Sequence, residues 1–328
     1  METAAIDIFN HCLPPRFVEA AQAAMSKPLL KFVRAVAHPG MKDVAERLEF
    51  MEEYPGYRQV LSLASPPVEA MAGSDRSPEL ARIGNDEQAR WVANHPEHFP
   101  GFIASLPMNN PEAAQQEARR AVEELGAAGV QVYTHVNGMP LDAPEHIALF
   151  ELMAELDRPV WMHPLRASTV ADYPGEAVSK YDLWWAFGWP HETSVAAGRL
   201  VFAGIFDRWP DLKIITHHAG GTIPMMEGRI EAGLALMGTR YAPEHAEAAQ
   251  TELKEKPIDA FRRFHADTAT FGSRIAIECG AAFFGAERML FASDFPFAGI
   301  GEALQASEGM GEALHCGNAR RLLKLERS

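Results

Sequence analysis

The sequence predicts a distorted (β/α)8 TIM barrel, and three observations lead to that fold class. Eight short apolar segments alternate with helical patterns, which is typical of a parallel sheet covered by helices. Several of these segments end in His or Asp, as barrel strands do where they build a site at their carboxyl ends. The 328 residues show no internal repeat and no G-x-G-x-x-G after a strand, which argues against a doubly wound sheet.

The predicted strands follow the apolar runs, at residues 5–9, 59–64, 101–106, 129–133, 160–163, 212–216, 264–269 and 288–293. Helices are expected at residues 80–94, 111–125, 144–156, 192–208, 224–237, 274–284 and 313–325. The helix at 111 has Asn110 as its N-cap and Pro111 at its first position. The proline-rich residues 14–57 contain one helical pattern, at 44–54, and are expected to be an insertion or long loop within a single domain of residues 1–328.

Composition restricts the possible partners. With 47% hydrophobic and 23% charged residues the chain can bury a large core, and its formal charge of −14 argues against nucleic-acid and anionic-membrane partners. No signal peptide and no apolar run of about 18 residues is present, so no membrane span is expected. Three widely spaced cysteines, at 12, 279 and 316, without a C-x-x-C, favour a reduced, cytoplasmic setting.

Three strand-end side chains are candidate metal ligands. His11, His163 and Asp294 follow the first, fifth and eighth predicted strands. Two imidazoles and a carboxylate with one open position are what a catalytic zinc needs, and zinc would activate a bound water. A single histidine near a loop is more often only a polar loop residue, but several strand-end placements together favour a site. With a period of two, Phe9 and His11 share one face of the first strand.

The sixth predicted strand ends in two adjacent histidines, His217 and His218, followed by Ala219-Gly220-Gly221. Adjacent residues of a strand face opposite sides, so only one of the two imidazoles can face the barrel centre. The other is expected to be packed or hydrogen-bonded in the core.

Seven segments of the chain carry a family resemblance. They are Asp7-Ile8-Phe9-Asn10-His11, Tyr133-Thr134-His135-Val136-Asn137-Gly138, Met162-His163-Pro164, Gly188-Trp189-Pro190-His191-Glu192-Thr193, His218-Ala219-Gly220-Gly221, Ser293-Asp294-Phe295-Pro296 and Gly317-Asn318-Ala319. Together they resemble the amidohydrolase-related branch of the amidohydrolase superfamily, and within it 2-amino-3-carboxymuconate 6-semialdehyde decarboxylase and related aromatic-acid decarboxylases. The likeness runs almost from end to end and is weakest over residues 14–57.

The resemblance implies a barrel that holds one divalent metal ion, most often zinc, with manganese as the alternative. His11, His163 and Asp294 match three of the family's ligands. Phe9 stands at the position of the first ligand, and a phenylalanine cannot coordinate a metal. The expectation is therefore a three-ligand site, with a weakly bound or absent metal as the other possibility.

Further roles follow from the same resemblance. His218 matches the family's catalytic histidine, and Arg229 matches an arginine that binds the substrate carboxylate. Trp185 matches a tryptophan of the substrate pocket. His135, just after the fourth strand, is a candidate substrate contact, with a solvated loop histidine as the equal alternative.

The function expected is metal-dependent, non-oxidative decarboxylation of an aromatic or muconate-type carboxylic acid. In this reaction the proton that the carbon needs after loss of CO2 is transferred by Asp294 or by a water molecule activated by His218. The alternatives are a metal-dependent hydrolase or hydratase acting on a lactone, amide or unsaturated dicarboxylate, and a metal-free or non-catalytic relative because of Phe9. The expected partner is a small-molecule carboxylic acid, no organic cofactor is implied, and a homodimer is favoured.

Overall fold

The computed structural model describes residues 4–249 and 253–325, and it contains the predicted barrel. Eight parallel strands lie side by side in chain order. We number them β1 Ala5–Cys12, β2 Tyr57–Leu63, β3 Gly101–Ser105, β4 Gly129–Tyr133, β5 Val160–His163, β6 Ile214–Thr216, β7 His265–Asp267 and β8 Met289–Leu290. A separate hairpin pairs His135–Val136 with Met139–Pro140.

Helices surround the strands, as the alternating pattern predicts. The α-helices are Pro15–Ala24, Leu30–Val36, Val44–Glu52, Val68–Met71, Ser77–Asn94, Pro111–Glu123, Pro144–Glu155, Leu183–Ala186, Gly188–Phe202, Ile205–Arg208, Glu227–Leu234, Pro257–Phe261, Arg274–Phe284, Ile300–Ala306 and Asn318–Leu323. Short 3₁₀ turns cover His218–Gly220, Pro224–Met226, Pro243–Ala249 and Ala286–Arg288, and Ala313–Gly317 is a π-helical turn. Within the described ranges no helix is both long and apolar enough to cross a bilayer.

Backbone hydrogen bonds join the residues after β8 to β1 and so close the barrel. The Ile8 N–H donates to the Phe291 carbonyl at 3.0 Å, and the Asp294 N–H donates to the Phe9 carbonyl at 3.0 Å. The buried Asp7 carboxylate also accepts hydrogen bonds from the Ser293 backbone N–H and hydroxyl. Residues from the two ends of the sequence are therefore held beside each other at one end of the barrel.

The inside of the barrel is filled by branched and aromatic side chains. Trp161 is fully buried there, and its indole N–H donates to the Ile8 carbonyl across the barrel at 3.1 Å. The members of this inner cluster include Ile6, Val60, Ile103, Ile215 and Leu290, together with Leu322 and Leu323 of the last helix. The interior is thus a packed core, and the open space for a ligand lies at the carboxyl ends of the strands.

Residues 14–57 are more regular than the sequence predicts, because they form three helices rather than one helix in a long loop. The third helix, Val44–Glu52, is fixed by Arg47, whose guanidinium is fully buried. Arg47 donates to the Asn10 side chain at 3.0 Å and to the backbone carbonyl of His11. This segment is therefore attached directly to the strand that carries the first candidate ligand.

The remaining expected elements differ from the structure mainly in their bounds. β4 and β5 have the predicted bounds, whereas β1 extends to Cys12 and β8 is only Met289–Leu290. The helix expected at 192–208 is two helices, because Gly204 adopts a left-handed φ of +69° that ends the first one. The helix Ile300–Ala306 was not expected from the sequence.

Candidate active site

The carboxyl end of β1 brings Phe9 and His11 into the barrel mouth. Both side chains are buried, and their ring centroids lie 4.5 Å apart in an edge-to-face arrangement. The Phe9 N–H donates to the Asp7 carboxylate at 3.0 Å, which fixes the backbone at this point. The expectation that Phe9 and His11 share one face of the strand therefore agrees with their contact.

His11 and Asp294 form a buried polar pair at the centre of the site. The His11 Nε2 atom lies 3.0 Å from Asp294 Oδ1, and both residues are buried. Asp294 adopts a left-handed backbone, with φ +67°, which residues other than glycine seldom do. His11 Nδ1 is buried and has no hydrogen-bond partner among the described residues. The imidazole nitrogen and the carboxylate oxygen are within hydrogen-bond distance of each other.

His163, at the end of β5, completes the predicted trio. Its ring centroid lies 5.6 Å from that of His11, and its Nδ1 hydrogen-bonds the Pro164 carbonyl at 2.6 Å. That bond leaves Nε2 as the nitrogen available to a ligand. Burial, and then the neighbouring imidazoles, lower the pKa of His163 well below its usual range. A neutral imidazole is the form that binds a metal or accepts a proton.

His217 is a fourth imidazole of this cluster. Its ring stacks on Phe9 with centroids 3.4 Å apart and lies 5.6 Å from His163. Its Nδ1 hydrogen-bonds the Asp267 carboxylate at 2.5 Å, which fixes the ring orientation. Burial lowers the pKa of His217, although Asp267 opposes the shift. Its Nε2 is buried and has no partner in the described parts of the chain.

His218 lies next to this cluster but nearer the surface. Its ring centroid is 6.2 Å from Phe9 and 6.2 Å from Phe271. Its Nδ1 hydrogen-bonds the Ala269 carbonyl at 2.6 Å, and its backbone is left-handed, with φ +55°. Of the two adjacent histidines, His217 is the one enclosed by the barrel, whereas His218 is partly exposed at its rim.

Aromatic side chains of the 165–190 segment cover one side of the mouth. Trp189 is buried and meets His163 edge-on, with ring centroids 5.4 Å apart. Trp185 is 40% exposed and packs against Trp189 and Phe271. Trp185 therefore lies in an aromatic rim, one layer farther out than Trp189.

A lysine from residues 14–57 also reaches this rim. The Lys31 Nζ atom is buried and lies 4.0 Å from the centroid of the Trp189 ring. It has no hydrogen-bond partner among the described residues. Burial lowers the pKa of Lys31 to about 7, and the charge of Asp294 opposes that shift. Lys31 is thus close enough to the cluster to interact electrostatically with Asp294.

Two of the expected substrate contacts lie outside the cluster. Arg229, on helix Glu227–Leu234, is exposed, and its guanidinium makes no ion pair or hydrogen bond with any residue in 4–249 or 253–325. His135 belongs to the small hairpin, where its Nδ1 accepts the Gly138 N–H at 3.1 Å. Neither Arg229 nor His135 makes a hydrogen bond, an ion pair or a ring contact with His11, His163 or Asp294.

Sequence reasoning missed three residues of this region, Asp267, Lys31 and Glu69, and the strand pattern left open which of the two adjacent histidines is enclosed. Asp267 could have been found, because it ends an apolar strand in the same way as Asp294. Glu69 is buried near the Tyr133 ring, which lies 4.8 Å from His163. Nothing in the local sequence around Lys31 or Glu69 indicates that either points inward.

The model of the Amidohydrolase family matches residues 6–325, almost the whole described chain. The chain belongs to the amidohydrolase family. A gamma-resorcylate decarboxylase from Polaromonas sp. is 35% identical over 302 residues, which cover 86% of this chain and 87% of that protein. A 2-amino-3-carboxymuconate-6-semialdehyde decarboxylase from Dictyostelium discoideum is 39% identical over 155 residues, which cover 47% of this chain and 42% of that protein.

A solved structure agrees with these relatives. The dihydroxybenzoic acid decarboxylase of Polaromonas sp., determined with bound manganese and the inhibitor 2-nitroresorcinol, is 29% identical and superimposes with a TM-score of 0.80. The match covers 99% of this chain and 98% of that one. The barrel fold and the expectation of an amidohydrolase-superfamily decarboxylase are confirmed.

The side chains of this site are of the types that bind a divalent metal ion, but they are not grouped as a complete metal site. Two ligands about 2.1 Å from one ion stand about 3–3.5 Å apart, and His11 Nε2 and Asp294 Oδ1 have that separation, 3.0 Å. Within the described residues, however, no three His, Cys, Asp or Glu side chains are grouped so as to hold a metal. His163 is the third expected donor, with its ring centroid 5.6 Å from that of His11, and Phe9 contributes none.

Proposed function

We propose that this amidohydrolase removes CO2 from a hydroxylated aromatic carboxylic acid without oxidation. The observation that carries the proposal is the buried group of His11, His163 and Asp294, with His217 beside it, at the carboxyl ends of the strands. The Polaromonas relatives, named for resorcylate and dihydroxybenzoate, support this substrate class over the muconate type. The aromatic rim of Trp185 and Trp189 suits a planar ring.

The reaction needs a proton donor and a pocket that can bind an anionic substrate. When the bond between ring and carboxylate breaks, CO2 leaves and the electron pair stays on the ring carbon, which then needs a proton. We assign the delivery of that proton to Asp294, whose Oδ1 atom lies 3.0 Å from His11 Nε2. His218, at the rim, is the second candidate, acting through a water. A hydroxyl group on the ring donates electron density to that carbon and so helps it to accept the proton, and no organic cofactor is needed.

The proposed cofactor is one divalent metal ion, held by His11, His163 and Asp294, with zinc and manganese as the candidates. The Polaromonas structure with manganese supports a metal of this kind. The ion would supply positive charge that polarises the oxygens of the bound acid. Burial holds His163 and His217 as neutral imidazoles, and Phe9 and Trp189 exclude water from the site.

The test is a metal assay on protein purified without chelator, followed by a panel of acids. The panel contains hydroxybenzoates, carboxymuconates and pyrone carboxylates, and both CO2 and consumed acid are measured. We expect a hydroxybenzoate to be decarboxylated, and His163→Ala to lose the metal and at least about 100-fold of the rate. Full activity of that variant, or acid consumed with water uptake and no CO2, would overturn the proposal in favour of a different site or a hydrolase.

We further propose a homodimer in the cytoplasm. Large side chains near the rim are exposed, with Tyr181 at 89% and Phe187 at 72%, which supports a subunit contact there. The three cysteines are free thiols, which supports a reducing setting. Sedimentation equilibrium of the purified protein tests the dimer.

A further inference from the structure

We propose that Lys31 is the residue that binds the negatively charged group of the substrate. This inference rests on the proposed function in one respect, that the substrate is an anionic aromatic acid. The family resemblance assigns this role to Arg229, but Arg229 is exposed and makes no hydrogen bond or ion pair with the ligand trio. Lys31 instead brings an ammonium group to the mouth from helix Leu30–Val36.

The surroundings of Lys31 lack the acceptors that an ammonium group normally has. Its Nζ atom is buried, and no described residue accepts a hydrogen bond from it. An ammonium has three donors and no acceptor, and leaving them unpaired away from water is costly. The face of Trp189, 4.0 Å away, offsets part of that cost by a cation–π contact. That contact does not replace the hydrogen bonds that a carboxylate would accept from the ammonium group. An anionic ligand would supply the missing acceptors.

The position of Lys31 also agrees with where the acid must lie. Trp189 connects Lys31 to the site, because its ring meets His163 edge-on at 5.4 Å. The charge of Lys31 acts on His163, and the charge of Asp294 acts on Lys31. An anionic group beside Lys31 would therefore place the attached ring between the Trp189 face and the His11–Asp294 pair.

A second reason is the hydrogen-bond pairing of the pocket. The carboxylates nearest the site, Asp294 and Asp267, each have a histidine partner, at 3.0 Å and 2.5 Å. The Lys31 ammonium has no such partner among the described residues, although it interacts with the charge of Asp294. A ligand with an anionic group would accept hydrogen bonds from Lys31, whereas a ring without an acceptor would not.

The test measures binding of a charged probe that cannot lose CO2. 2-Hydroxybenzenesulfonate and its neutral sulfonamide are titrated calorimetrically at pH 6.5 into wild-type protein and into Lys31→Met, Lys31→Arg and Lys27→Met. Lys27 is exposed four residues earlier and gives the matched loss of charge. One charge-assisted hydrogen bond corresponds to about 10- to 100-fold in affinity.

We expect wild-type protein and Lys27→Met to prefer the sulfonate by about that factor. Lys31→Met should lose the preference, and Lys31→Arg should retain part of it. In turnover, Lys31→Met should raise KM more than it lowers kcat. A Lys31→Met variant that still prefers the sulfonate, or wild-type protein without any preference, would overturn the inference.

The melting temperature separates binding from a structural role. Replacing a buried amine that lacks hydrogen-bond partners by an apolar side chain of similar length should leave Tm unchanged or raise it. A clear fall in Tm for Lys31→Met would show that the lysine supports the fold, and would also overturn the inference. Because the sulfonate is not turned over, a lost preference in Lys31→Met stands even if no acid is decarboxylated, in which case only the proposed function fails.

Discussion

Phe9 occupies the place on β1 where the family resemblance puts a first metal ligand, and its surroundings suit an aromatic ring. It is fully buried, stacks on His217 with centroids 3.4 Å apart and meets the edge of His11. The ring fills the space that a second imidazole of β1 would occupy. Compared with a histidine at position 9, Phe9 fills a similar volume of the pocket but provides no donor atom for a metal.

Restoring that donor provides a direct prediction. Phe9→His should raise the affinity for zinc by at least about 10-fold, because a fourth protein ligand would join His11, His163 and Asp294. Competition with a chelator of known affinity measures the change. Phe9→Leu is the control, since it alters the packing on His217 without adding a donor. Equal zinc affinity in Phe9→His and wild-type protein would contradict this view of position 9.

The sequence revealed some residues of the site and not others, for a physical reason. His11, His163 and Asp294 each follow a short apolar run, so their place at a strand end is a local property of the chain. The inward direction of Lys31 depends instead on how helix Leu30–Val36 packs over the mouth. The choice between His217 and His218 depends on Asp267, a partner from the next strand. Such contacts between distant segments leave no local pattern.

At the scale of elements, the short helix Val68–Met71 after β2 carries an unusual buried acid. Glu69 is 5% exposed, and neither of its carboxylate oxygens has a hydrogen-bond partner among the described residues. Burial raises the pKa of Glu69 from 4.5 to about 8. The neighbouring Tyr133 hydroxyl also has a raised pKa, through burial and then through the charge of Glu69. Glu69 is therefore protonated in the folded protein at neutral pH.

This shift predicts how stability depends on pH. Between pH 4.5 and about 8 the unfolded chain releases the Glu69 proton while the folded chain keeps it, so the free energy of unfolding falls as pH rises. Glu69→Gln cannot ionise and should be more stable than wild-type protein at pH 8.5, by on the order of 5 kcal/mol, with little difference at pH 5. Denaturant titrations at both pH values measure this, and comparing the two proteins cancels the titration of the buried histidines.

The exposed Glu79→Gln is the matched control and should show no such trend. A difference between Glu69→Gln and wild-type protein that is the same at pH 5 and pH 8.5 would mean that Glu69 is ionised in the folded state.

Elements with a strong local signal were predictable, and the first helices were not. Asn110 accepts the Ala113 N–H as the predicted N-cap, and the helix begins at Pro111 as expected. The prolines of residues 14–57 predict irregular chain. Pro15 instead begins helix Pro15–Ala24, at the first position, where a proline costs no hydrogen bond. Asp43 is the N-cap of helix Val44–Glu52.

At the scale of the whole molecule, closure of the barrel builds the site. β1 and the segment after β8 come from opposite ends of the chain, and the Asp294 N–H bonds the Phe9 carbonyl at 3.0 Å. Closure places His11 against Asp294, while the pairing of Tyr133 with His163 aligns the ends of β4 and β5. The alternation of strands and helices predicted this closure. It could not predict the spacing of the donors, which depends on the packing of Phe9.

The most direct test of the central claim is decarboxylation in D2O of the hydroxybenzoate that we propose as the substrate. If this chain breaks the bond between ring and carboxylate with a proton from Asp294, each molecule of acid yields one CO2 and a product with one deuterium on the vacated carbon. Asp294→Asn should lower that rate by about 100-fold or more. Product that contains oxygen from the solvent with no release of CO2, or an Asp294→Asn variant with the wild-type rate, would contradict the account.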